Sequence, residues 1–445
     1  MNTPICDFVR RYAENGALRL HMPGHKGAPL LGMEALDITE IDGADSLYEA
    51  VGIIRESEEN AGKLFGCPTF YSTEGSSQCI RAMLYLALLH AKQHDRPPLV
   101  AAGRNAHRTF LSAAALLDLD ICWLYPRTDE SYLSCRIEPA ALDRFLCSAQ
   151  PKPAAVYLTS PDYLGHVADI AALARVCHAH GVLLLVDNAH GAYLRFLPQS
   201  LHPIDLGADL CCDSAHKTLP VLTGGAYLHL HPAVPALLRQ QAKNALALFG
   251  STSPSYLILQ SLDAANRYLA GGYREKLGRF LQQTETPKRQ LAAFGWQLYG
   301  DEPLKLTLRT KPFGYRGQEL AQLLLRQDIV CEFADPDFLV LMLTPETGED
   351  GLLRLQEALL SAAPRPALCE APPLPRPGIR AMSVRQAALS PAETLPAEHC
   401  IGRVLAAAAV GCPPAVPIAV CGEVIDAHAV ECFRYYGIES CPVVL

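Results

Sequence analysis

A lysine delivered straight from an apolar run is the first residue in this chain that could do chemistry. In CCDSAHKTLPVLTGGAYLH, residues 211–229, small and apolar side chains lead to His216 and Lys217, and Gly224–Gly225 then turn the chain back. Lysine is among the residues least often buried without a partner. Other short apolar runs end in the same way. VLLLVD ends on Asp187 and continues NAHGAY, PLVAAG leads into RNAH with His107, and AAVYLTS leads into PDYLG. Upstream, Gly75, Ser76 and Ser77 stand directly before a strongly helical stretch. One chemistry uses an acid, a lysine and a hydroxyl-lined helix start together: a lysine Schiff base with pyridoxal phosphate. The amine must be available unprotonated, which partial desolvation favours. A carboxylate must face the pyridine nitrogen so that the ring acts as an electron sink. The phosphate needs hydroxyls and backbone N–H groups at a helix N-terminus.

Taken singly, each signal is ordinary. A lysine after a strand is commonly a solvated loop residue, an Asp ending a strand a turn or cap residue, and a Gly-Ser-Ser a cap. Their joint order of phosphate loop, Asp187 and Lys217 is what narrows the reading.

The elements that must position these groups emerge from patterning. From residue 98 onward, apolar runs short enough for strands buried on both faces (PLVAAG, DICWLY, AAVYLTS, VLLLVD, ADLCCD) alternate with helix-like segments such as IAALARVCHAHG, which Gly181 stops. That alternation predicts an α/β fold with a doubly wound, mainly parallel sheet, whose ligands sit beyond the carboxyl ends of the strands. An N-terminal segment covers 1–60, a large domain 61–285 and a small α/β domain 286–362. The proline-rich stretch 363–378 reads as a linker to a last domain, 379–445.

The 445 residues are half hydrophobic and carry a formal charge of −8 with no long basic run, which argues against a nucleic-acid partner. The sixteen cysteines are scattered without a C-x-x-C pair and read as small buried residues in a reducing compartment. No leader-like segment or run of about 18 uncharged apolar residues occurs, so a soluble, cytoplasmic protein with no membrane partner is expected. HAH at 178–180 and HLH at 229–231 have metal-ligand types, but no Cys or acid beside them completes a set, and no metal is expected.

The S-x-H-K of residues 214–217 followed by T-G-G resembles the cofactor-lysine motif of the ornithine/lysine/arginine decarboxylase family, which has the aspartate-aminotransferase-like fold (fold type I). LHMPGHKG, DITEIDGADSLYEAVGIIRESEENAGKLFG, the GSS loop, RNAH and DNAHGAY match that family's segments in order, and the likeness spans roughly residues 17–445 in its short form. The resemblance implies that Lys217 forms the internal aldimine, Asp187 pairs with the pyridine nitrogen, His107 stacks on one ring face and Ala189 packs on the other. Ser76, Ser77, Ser214 and His216 would hold the phosphate, and His190 would border the site. It further implies a homodimer or larger assembly decarboxylating arginine, lysine or ornithine to agmatine or a diamine, with Lys217 or His216 returning a proton to Cα. An aminotransferase or other lyase on the same fold, or a pyridoxal-phosphate-binding protein without turnover, are the rival readings.

A basic substrate needs an acid at its far end, for which Glu49, Asp162, Glu332 and Glu423 are candidates. Three departures from the family pattern stand out. Asp162 replaces a small hydroxyl residue and either binds a substrate ammonium or bonds the backbone in a turn. Cys412 and Ala415 alter a stretch that helps shape the substrate end, and Met22 replaces a threonine.

Overall fold

The computed structural model describes residues 1–126, 131–412 and 416–445. Seven strands carry the site's frame: β1 (Thr69–Ser72), β2 (Leu99–Gly103), β3 (Asp120–Leu124), β4 (Ala155–Thr159), β5 (Leu183–Asp187), β6 (Leu210–Asp213) and β7 (Ala226–Leu230). Five helices carry or flank the functional side chains: α1 (Gly75–Gln93), α2 (Arg108–Leu117), α3 (Pro139–Ser148), α4 (Ile170–Ala179) and the single turn α5 (Ala215–Thr218). The chain forms two compact units. The first comprises residues 1–95 and 183–275, the second 96–182 and 276–445.

In the first unit β5 runs parallel to β6, and every residue of both is buried. This is the pattern of strands covered on both faces, and it explains why LLLVD and LCCD lack polar alternation. β7 then pairs antiparallel with β6, and β1 antiparallel with β7, setting Tyr71 opposite Tyr227. Helix α1 packs on β6 and β7, burying Ile80, Met83, Leu84 and Ala87. Each of Ile80, Met83 and Leu84 contributes about 1.5–3 kcal/mol when fully buried. The mainly parallel sheet expected from the sequence is present, with the antiparallel β1 and β7 as additions that the apolar runs did not announce.

In the second unit β2 is flanked by β3 and β4, both parallel to it. Asp169 caps α4 by accepting the Ala172 N–H at 3.0 Å, and Gly181, at φ 65°, ends it where a left-handed residue is needed. His178 and His180 therefore sit at a helix end rather than on a strand. A four-stranded antiparallel sheet comes next, built from Gln297–Tyr299, Lys305–Arg309, Phe333–Ala334 and Phe338–Met342. IVCEFAD supplies only the two-residue strand Phe333–Ala334 of that sheet. Residues 363–378 have no regular secondary structure. Beyond them, Ile418, Phe433 and Val443 share one core with Leu133, Leu164 and Phe338. Arg104 ties that region down, donating to the Pro417 and Ile418 carbonyls at 3.0 Å and to Glu423 Oε2 at 3.1 Å. Both ends of this ion pair are buried, so removing one partner costs about 3–5 kcal/mol. The altered stretch holding Cys412 and Ala415 adjoins or lies among residues 413–415, outside the described residues.

One buried acid makes stability depend on pH. Asp335 Oδ1 accepts the N–H groups of Asp337 and Phe338 at 2.8 and 2.7 Å, while Oδ2 has no hydrogen-bond partner among the described residues. Burial pushes its carboxyl up to about 7, with Asp337 adding to the effect and Lys311 opposing it. A raised native pKa means the unfolded chain ionises first. The contribution is therefore complete below about pH 4 and is lost as pH rises to about 7. Asp335→Asn keeps the Oδ1 acceptor and removes the ionisation. Its denaturation midpoint should equal that of the parent at about pH 4 and exceed it at about pH 8, by a few kcal/mol at most. A pH-independent difference between the two would contradict this assignment.

Candidate active site

The first unit gathers most of the groups picked out in the sequence. Lys217 lies in α5, immediately after β6, and its Nζ is 3.1 Å from His190 Nε2. His190 is reached through the turn after β5, which begins with Asp187, Asn188 and Ala189. Asp187 is only 3% exposed, and its Oδ1 accepts the Ala189 N–H at 3.2 Å and faces the Cys212 thiol at 3.7 Å. Two parallel strands thus end side by side, one delivering a carboxylate and the other a lysine.

The first turn of α1 is held against the Gly-Gly turn. Gly75 has φ 70°, and its N–H donates to the Gly224 carbonyl at 2.7 Å. Ser214 Oγ donates to Ser76 Oγ at 2.7 Å, which leaves the Ser76 proton to be given onward. Ser77 lies in the first turn of the same helix, half-buried. The N-terminus of a helix as long as α1 carries roughly half a positive charge and unspent N–H donors. Hydroxyls and a positive helix end suit a phosphate.

Gly224 is confined to glycine twice over. Its φ is 100°, and a Cβ there would sit 2.9 Å from the Thr73 carbonyl oxygen. Gly224→Ala should cost about 1–3 kcal/mol of local strain, much of it on the loop that Gly75 anchors. Titration of the cofactor-free variant with pyridoxal phosphate should show affinity reduced about tenfold, the equivalent of 1.4 kcal/mol. Unchanged affinity would show that the turn does not position the loop.

His216 bonds inward. Its backbone N–H and its Nδ1–H both reach the Gly225 carbonyl, at 3.2 and 3.0 Å. Burial pushes the imidazole's pKa down, and the neighbouring Lys217 charge pushes it further. The ring is therefore neutral at neutral pH, with Nε2 an acceptor. In this arrangement His216 pins the lysine-bearing turn to the Gly-Gly segment.

Beneath the strand ends lies a network that sequence reasoning missed. Asp213, the last residue of β6, has no exposure. Its Oδ2 accepts from His202 Nε2 and His229 Nε2, each at 3.1 Å, and its Oδ1 accepts from Asn188 Nδ2 at 2.7 Å. Burial alone would raise its pKa, but the two imidazoles outweigh that and hold the carboxyl well below the usual range. Asn188 stands between Asp187 and Ala189, so Asp213 locks the β5 turn to the end of β6. The available signal was a second strand ending on Asp, immediately before the S-x-H-K motif. His229 of the HLH pair belongs to this network.

The second unit holds the remaining candidates. His107 caps α2, its Nδ1 accepting the Thr109 N–H at 3.2 Å, which leaves the ring proton on Nε2. Asp162 bonds its own turn and Ser134. Oδ1 accepts the Leu164 and His166 N–H groups at 2.9 Å each, and Oδ2 accepts the Ser134 hydroxyl at 2.6 Å. Bonding the backbone of its own turn is the second of the two alternatives that the sequence left open. Glu423 is committed to Arg104, and Glu332 accepts from the Tyr163 hydroxyl at 3.0 Å.

A buried carboxylate, a strand-end lysine, a cluster of hydroxyls at a helix N-terminus and a small Ala189 methyl together fit pyridoxal 5′-phosphate, and with this α/β fold they define the class of fold-type I pyridoxal-phosphate enzymes. The chain belongs to the Orn/Lys/Arg decarboxylase family, whose major-domain model matches residues 3–299. It is 29% identical to an arginine decarboxylase of Halalkalibacterium halodurans, over 99% of this chain and 94% of that protein. It is 27% identical to an arginine decarboxylase of Bacillus subtilis, over 95% of this chain and 91% of the relative. Lysine decarboxylase A from Pseudomonas aeruginosa shares the fold with a TM-score of 0.81 at 16% identity, covering 99% of this chain and 80% of that structure. The protein is thus a pyridoxal-phosphate-dependent amino-acid decarboxylase. No helix among the described residues is long and apolar enough to cross a membrane.

Proposed function

We propose that this enzyme decarboxylates a basic amino acid, arginine foremost, releasing agmatine and carbon dioxide, and that Lys217 is the amine that carries the cofactor. The observation that carries the reading is the placement of Lys217 at the end of β6, 3.1 Å from His190, on the same unit as the Ser76–Ser214 hydroxyl pair. Arginine is placed first because relatives aligned over nearly the whole chain bear the name arginine decarboxylase. Lysine and ornithine are the competing substrates.

When bound, pyridoxal phosphate supplies an electron sink for the pair left at Cα as carbon dioxide departs. The protein's own groups do the rest. Ser76, Ser77 and Ser214 hold the phosphate against the start of α1. Asp187 would keep a proton on the ring nitrogen, Ala189 would pack against one ring face, and His190 would orient the Lys217 amine. His216, neutral and bonded to Gly225, acts by positioning. Returning a proton to Cα therefore falls to Lys217, whose Nζ can carry one to the substrate.

Of the four acids considered for the substrate's distal charge, three are bonded within the second unit. Glu49 is exposed and lies in the unit that holds Lys217, so Glu49→Gln is the variant to compare on charged and neutral substrates. A homodimeric or larger assembly in the cytoplasm completes the proposal.

The deciding experiment supplies arginine, lysine and ornithine separately, each carboxyl-labelled, and measures labelled carbon dioxide with the amine formed. Agmatine as the dominant product supports the assignment. Cadaverine or putrescine would move the substrate within the class. Keto acid without carbon dioxide would replace decarboxylation by amino transfer.

A further inference from the structure

We propose that Asp143, Cys147 and His180 form a binding site for one zinc ion on the second unit, separate from the decarboxylase machinery. In the sequence no Cys or acid near His178 and His180 completes a ligand set; the fold brings Asp143 and Cys147 to His180. Asp143 and Cys147 are four residues apart on α3, so their side chains share one face. His180 closes the C-terminal end of α4, where its own N–H bonds the Val176 and Cys177 carbonyls. Arg96 reinforces the turn by donating to the Gly181 carbonyl at 2.6 Å. The carboxylate and the thiol converge on a single ring nitrogen. Nε2 of His180 is 2.7 Å from Asp143 Oδ1 and 3.9 Å from Cys147 Sγ. All three donor atoms lie within 4.8 Å of one another.

A surface Asp–His pair explains the shorter contact and is worth about 1 kcal/mol or less. It gives no reason for a thiol to approach the same nitrogen from the next turn of the helix. Zinc does. Thiolate, imidazole and carboxylate bind it at about 2.0–2.3 Å, which places tetrahedral ligand atoms roughly 3.2–3.8 Å apart. The contacts here bracket that range, so small side-chain rotations close the site on helices that already fix its frame. Three protein ligands leave a fourth position to water. Binding releases the Cys147 thiol proton to solvent. The ring proton moves to Nδ1, and the Lys152 ammonium, now 3.4 Å from Nδ1, turns outward.

An internal control lies in the same chain. Among the described cysteines, Cys147 and Cys369 are the exposed ones. The holoenzyme is treated with iodoacetamide alone, with added Zn²⁺ or with added Mg²⁺, and both peptides are followed by mass spectrometry. Zn²⁺ should slow alkylation of Cys147 roughly tenfold or more, leave Cys369 unchanged and have no effect when replaced by Mg²⁺, a hard ion that prefers oxygen ligands. His180→Asn and, independently, Asp143→Ala should abolish the protection while leaving decarboxylation unchanged, which also reports that each variant is folded. Equal protection of Cys147 and Cys369, protection that survives in both variants, or no protection at all would each overturn the site.

Discussion

Lys217→Ala is expected to lower turnover by about 10³-fold or more, because the proposed function gives that one amine two tasks. The first is the covalent hold on the cofactor's aldehyde, and the second is the proton returned to Cα. Alanine leaves the fold intact, since α5 keeps the Leu219 N–H bonded to the Ala215 carbonyl and the His216 bonds to Gly225 do not involve the side chain of Lys217. The variant should therefore melt like the parent yet lose the visible absorbance of the bound cofactor. Borohydride reduction followed by peptide mass spectrometry checks the assignment directly in the parent enzyme. The cofactor's mass should appear on the peptide containing Lys217. Its appearance on another lysine, or near-parental turnover in the variant, would remove the basis of the proposed function.

Asp187→Asn should leave the cofactor bound and lower turnover by about 10²–10³-fold. The substitution is nearly isosteric. An amide oxygen can still accept the Ala189 N–H that Oδ1 now accepts at 3.2 Å, so the turn after β5 keeps its shape. The loss is a buried negative charge that would hold a proton on the ring nitrogen. Without it the ring is a weaker electron sink, and the carbon–carbon cleavage slows while binding does not. The measurement is a comparison of kcat with cofactor affinity in the same preparation. A parallel fall in both would indicate a structural role, and near-normal turnover would place the ring nitrogen elsewhere. Because Asn188 ties the same turn to Asp213, the thermal midpoint of the variant serves as the check that the frame is undisturbed.

The two sites differ in how far sequence reading could reach. Asp187 stood out because it ends an apolar run and Lys217 because it follows one within four residues, and continuous apolarity over four or five residues reports a strand buried on both faces. The Gly-Ser-Ser expected to precede a helix forms instead the first three residues of α1. The role of Asp162 was not legible, since an acid after a strand looks the same whether it binds a ligand or accepts N–H groups from residues two and four further on. The zinc ligands were invisible for a related reason. Cys147 and His180 are separated by a strand and a helix boundary, and only the packing of α3 beside α4 makes them neighbours.

By itself, then, the order of residues determined the strands and helices of the parallel part of the sheet, and that a lysine, a carboxylate and a hydroxyl-bearing helix start recur in family order. Local preference and periodic burial are properties of a single segment, and a sequence displays them directly. Tertiary structure decided the partners: Ser214 with Ser76, Asp213 with His202 and His229, Asp162 with its own turn, and His180 with Asp143 and Cys147. Those pairings depend on strand register and helix docking, which are set by the whole core at once. A polar side chain's role comes from the partner it is given, and no single segment carries that information.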